Sequence, residues 1–168
     1  MSLIDSSYFV GEYEITNVIG TAAPVVINAA KLTQFIVKYE PEYLKALLGT
    51  TLYDEFIAGL AVLPTPDQKW TDLRNKLVDT TNKLSCIVPY VWNRYWTAEE
   101  TKSSSLGQLL SKAENAQVVS GNAKLVRSWN DAMTQAAVIY EWLVENQSTY
   151  TNLEADDDFF YLTNILGI

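Results

Sequence analysis

The stretch LTQFIVKYEPEYLKALLGTTLYDEFIAGL, residues 32–60, decides the fold class. Leu32, Phe35, Ile36 and Tyr39 recur at the spacing of one α-helical face. Pro41 has no N–H to donate and restricts Glu40 before it, so the chain is expected to bend or restart there. Leu44, Leu47 and Leu48 form the next stripe, and Gly49 is placed to end it. Thr51 is then expected to cap a third helix, with Asp54 in its first turn where a negative charge suits the helix dipole. Tyr53, Phe56, Ile57 and Leu60 repeat the helical spacing. Three amphipathic pieces in 29 residues predict an all-α fold.

Outward from this segment the pattern persists. Residues 62–69 hold Pro64 and Pro66 and read as a loop, with Asp67 placed to cap the next helix. Trp70, Leu73, Leu77, Leu84, Val88, Val91 and Tyr95 keep helical spacing to about Glu100, which predicts one long helix kinked near Ser85 by Pro89. Residues 102–121 form a long irregular loop rich in serine and glycine. Asn122 opens the last long helix, striped by Leu125, Trp129, Met133, Ala136, Tyr140, Leu143 and Val144. Tyr8, Val10, Tyr13 and Ile15 alternate loosely with polar residues, which predicts an extended N-terminal arm or edge strand closed by Pro24. The expected organisation is a single helical domain over residues 1–168. It comprises an N-terminal arm (1–25), a core of four or five helices (26–148) with the loop 102–121, and a C-terminal arm (149–168).

Composition narrows function. The chain of 168 residues is 48% hydrophobic and 19% charged, a globular balance with room for a real core. Net charge is −8, and residues 1–100 carry 8 basic and 12 acidic side chains against 4 and 8 in the remainder. Neither part is basic, which disfavours tight binding of phosphate backbones. The chain has no histidine, the side chain most used for proton transfer and the commonest metal ligand. No secretory signal and no apolar run of membrane-spanning length is visible, so a soluble protein made in the cytoplasm is expected. Glycine-rich phosphate loops, paired Cys-x-x-Cys and nucleophile-elbow motifs are absent. These features point to a protein that packs and binds, with no catalytic, cofactor or metal site expected.

Four local patterns carry alternative chemistry. Trp92, Tyr95 and Trp96 share a helical face, where a stacking platform competes with simple packing, and packing is favoured. Glu154 and Asp156, Asp157 and Asp158 offer hard oxygens but lack the alternating ligands and fixed glycine of a calcium loop, so a solvated acidic hinge is expected. The adjacent carboxylates Asp54/Glu55 and Glu99/Glu100 point apart on their helices and do not make a two-carboxylate site. Cys86, between Ser85 and Ile87, is a lone thiol without an activating base. The C-terminus, DDFFYLTNILGI, is unusually apolar, which allows either folding back on the core or docking on another chain.

The segment FIVKYEPEYLKALLGTTLYDEF, the polar loop after Glu100, the long helix from Asn122 and the terminal NILGI together resemble the small helical head-to-tail connector (adaptor) proteins of tailed bacteriophages. The likeness is greatest to versions from phages and prophages of Bacteroides-type hosts. The resemblance implies a virion protein of the neck, a homo-oligomeric ring of often about twelve copies seated on the portal protein. DNA would pass through it without specific binding, and the next neck or tail protein would sit on it. It implies no reaction, no cofactor and no membrane. It also implies a portal-docking arm, here Phe159, Phe160, Tyr161, Leu162, Ile165, Leu166 and Ile168. A subunit-contact loop would carry Leu106, Leu109, Leu110, Val118 and Val119. The competing expectations are another neck or tail completion protein, a small binding module directed at a host factor, and an enzyme using carboxylates alone.

Overall fold

The structure is a computed structural model that describes residues 1–104, 107–110, 122–155 and 157–163. Five α-helices carry the fold: α1 (Ala23–Leu48), α2 (Thr50–Leu60), α3 (Gln68–Leu77), α4 (Ile87–Glu100) and α5 (Asn122–Glu145). Two antiparallel hairpins interrupt them, β1 (Val78–Asp79) with β2 (Leu84–Ser85), and β3 (Thr101–Ser104) with β4 (Gly107–Leu110). Helix α4 packs against both α1 and α5, and α2 lies on α1 and α3. The first three turns of α4 are therefore buried almost all round: Ile87, Val88, Tyr90, Val91, Trp92 and Tyr95 are all in the core.

Helix α1 runs through Pro41 without restarting. The carbonyl that Pro41 leaves without its usual donor belongs to Val37, an exposed position open to solvent. The break falls at Gly49, whose φ of 80° and ψ of 157° favour glycine, and whose N–H still reaches Lys45 O at 2.9 Å. Gly49 itself precedes α2, so Thr51 lies inside that helix rather than capping it. A Cβ at Gly49 would meet Glu154 O at 2.6 Å, so the junction also seats the chain that leaves α5.

The long kinked helix expected between residues 70 and 100 is two helices. Asp79 Oδ1 accepts from the N–H groups of Thr81 and Asn82, Lys83 adopts φ 56°, and Ser85 Oγ donates to Leu77 O while accepting from Ile87 N. That turn reverses the chain. Pro89 then sits in the first turn of α4, where no intrahelical donor is lost and no kink is needed. Asp67 does stand before α3, but its carbonyl rather than its side chain bonds the first turn.

The N-terminal segment is neither a strand nor a projecting arm. Asp5 accepts from Ser7 N, and 3-10 turns at Ser6–Tyr8 and Gly11–Tyr13 break the alternation. Ile4, Tyr8, Phe9, Ile15 and Val18 are buried against the helices. Part of the expected irregular loop 102–121 is also ordered: β3 and β4 pair with Thr101 opposite Leu110 and Lys102 opposite Leu109. Leu106, Val118 and Val119 lie outside the described residues, as do Ile165, Leu166 and Ile168. In α5, Val144 faces solvent, while Ala132 and Ile139 join Met133, Ala136 and Leu143 in the core.

Candidate functional site

Burial of α4 leaves a charged residue at its edge. Arg94 lies with its guanidinium 4.9 Å from the Tyr90 ring, 5.5 Å from Trp129 and 5.8 Å from Tyr39. It donates to Tyr90 Oη at 2.8 Å, and Tyr90 in turn donates to Glu42. Burial, reinforced by the Glu42 carboxylate, pushes the Tyr90 phenol up to about 12. The cluster holds the rings of α1, α4 and α5 in register and leaves a groove floored by Tyr43, Tyr90 and Trp129.

Residues 159–163 occupy this groove. The Phe159 ring lies 5.5 Å from Tyr43 at a steep edge-on angle of 71° and 6.0 Å from Tyr90. Phe160 packs 5.3 Å from Tyr140, and Tyr161 lies 5.2 Å from Trp129. Trp129 Nε1 donates to Tyr161 O at 3.0 Å. Asn130 closes a double bond with Thr163: Nδ2 donates to the carbonyl at 2.9 Å, and Oδ1 accepts from the N–H at 2.9 Å. An indole and an amide thus read the backbone, while the rings read residues 159 and 160. Phe159 and Phe160 are half-buried, but Tyr161 and Leu162 remain 55% and 62% exposed. Of the candidate docking arm, then, the described residues lie folded along the body.

The opposite end of the chain is tied to α1 by Glu40, which is 2% exposed. Its carboxylate accepts from Leu3 N and Ser2 Oγ, each at 2.8 Å, and from Ile4 N at 3.2 Å. Burial pushes its pKa up, against the pull of those donors. Sequence reasoning passed over Glu40, Trp129, Asn130 and Arg94 as site residues. A signal for Glu40 was present: it falls on the row Leu32, Ile36, Glu40, Leu44, which steps by four along a buried face.

The other sequence candidates do not converge. Trp92 and Tyr95 are buried and Trp96 packs against both, so no open stacking face exists there. Glu55 accepts from Asn152 Nδ2, and Glu99 pairs with Lys31. Glu154 uses its backbone N–H on Leu48 O, and Asp156 is outside the described residues. Burial pushes the Cys86 thiol up to about 12, an inert state. Among the described residues no cluster of three metal-ligating side chains forms, and no helix is long and apolar enough to cross a membrane.

A second opening of about 310 Å³ lies between the first hairpin and α5, lined by Leu77, Cys86 and Ile139. Its lining also includes the exposed Leu84 and Val138. No family model matches the chain, and no curated protein and no solved structure matches it either.

Proposed function

We propose that this chain is a non-enzymatic structural protein of the phage neck, a subunit of a ring between the portal protein and the tail. The observation that carries the reading is apolar surface left without a partner on separate elements. Val26, Ala30 and Val37 fall on one outward face of α1. Leu84 and Val138 flank the cleft beside α5, and Tyr161 and Leu162 stand out from the C-terminal segment. Such surface on several elements suits a subunit that meets neighbours on more than one side. The net charge of −8 fits a channel wall that repels DNA and lets it pass. The β3–β4 hairpin, with Leu109 and Leu110, is the proposed contact to a neighbouring subunit, and the segment from Phe159 onward is the proposed portal-docking arm.

The test is the mass, by light scattering, of this chain co-expressed with the portal protein encoded in the same genome. One large complex holding many copies of both chains is the expected result. Separate elution, with this chain a monomer or dimer, overturns the neck-ring reading and favours a binding module directed at a host factor.

A further inference from the structure

We draw no further inference here: the strongest candidate, the apolar cleft between the β1–β2 hairpin and α5 flanked by the exposed Leu84 and Val138, is an unpartnered face, and nothing in the structure shows what covers it.

Discussion

Residues 2–4 are held by one buried carboxylate on α1, and residues 159–163 by an indole and an amide at a half-open surface of α5. Both ends lie on the same helical body. At the first end the keeper is Glu40, 2% exposed, whose carboxylate accepts from Ser2, Leu3 and Ile4 of the segment it holds. Remove either side and a polar group is stranded in the core, which is costly. At the second end the keepers are neutral, and Tyr161 and Leu162 already face water. Removing that segment strands little, because water reaches Trp129 Nε1 and the Asn130 amide. The difference separates an end built into the core from a segment that rests on the surface of α5.

The strongest way to break the contrast is Glu40→Ala. It leaves the N–H groups of Leu3 and Ile4 without acceptors beside a cavity, for a loss of about 3 kcal/mol in a urea melt. Glu40→Gln keeps one acceptor and is expected to lose about 1 kcal/mol. A loss under half a kcal/mol for Glu40→Ala would show that the N-terminal segment is as dispensable as the other end.

Gly49→Ala comes next, because it acts where the chain leaving α5 meets the junction of α1 and α2. The backbone at Gly49 sits in a region that costs a side chain about 1–3 kcal/mol, and a Cβ there presses on Glu154 O at 2.6 Å. We expect about 2 kcal/mol of destabilisation and loss of hydrogen-exchange protection at the Glu154 amide, whose acceptor is Leu48 O. If the amide stays protected, the Glu154 anchor does not depend on the backbone at Gly49.

Ending the chain after Ala155 has a smaller effect. The expected net cost is about 1 kcal/mol, because the half-burial of two phenylalanines and three exposed or part-buried hydrogen bonds is largely offset by the entropy lost in ordering residues 159–163. The melt stays cooperative, and indole emission shifts to the red as Trp129 gains water. Full unfolding on truncation would place the segment with the core and remove its role as an arm.

How much of this was legible depended on the range of the interaction. The stripes at Leu32, Ile36, Tyr53 and Phe56 and the break at Gly49 are local, and periodicity located them. The turn between α3 and α4 was hidden because Leu77, Leu84 and Val88 happen to keep helical spacing across it. The bonds from Thr81 and Asn82 to Asp79, with the pairing of Val78 and Ser85, reveal the reversal. The β3–β4 hairpin joins TKSS to GQLL, with no alternating apolar face to announce strands. Phe159 and Phe160 stood out by composition, but Trp129 and Asn130 look like any half-exposed positions of an amphipathic helix. Their meaning comes from residues more than thirty positions away. Glu40 was readable as a charge on a buried row, but its partners at residues 2–4 were not.

The finest test of the contrast is pH, since a titrating carboxylate, Glu40, holds residues 2–4. The described hydrogen bonds to residues 161 and 163 come from an indole and an amide. Burial raises Glu40 above its ordinary 4.5, so the folded chain takes up that proton more readily than the unfolded one. Its contribution to stability is then fully present below 4.5 and is lost as pH rises through the folded value. Asp5 works the other way: its bond from Ser7 lowers it, so its contribution is present above 3.8 and is lost as pH falls through the lowered value. The two windows do not overlap. Measured from pH 4.5 to 7, the stability of the natural chain should therefore fall relative to Glu40→Gln. The fall should be about 1.4 kcal/mol for each unit by which the folded Glu40 value exceeds the unfolded one. A chain carrying Asn130→Ala, which removes bonds to Thr163 and no carboxylate, should keep a constant offset from the natural chain over the same range. A constant offset for Glu40→Gln as well would mean that water reaches the carboxylate, and that the N-terminal segment is held as openly as the C-terminal one.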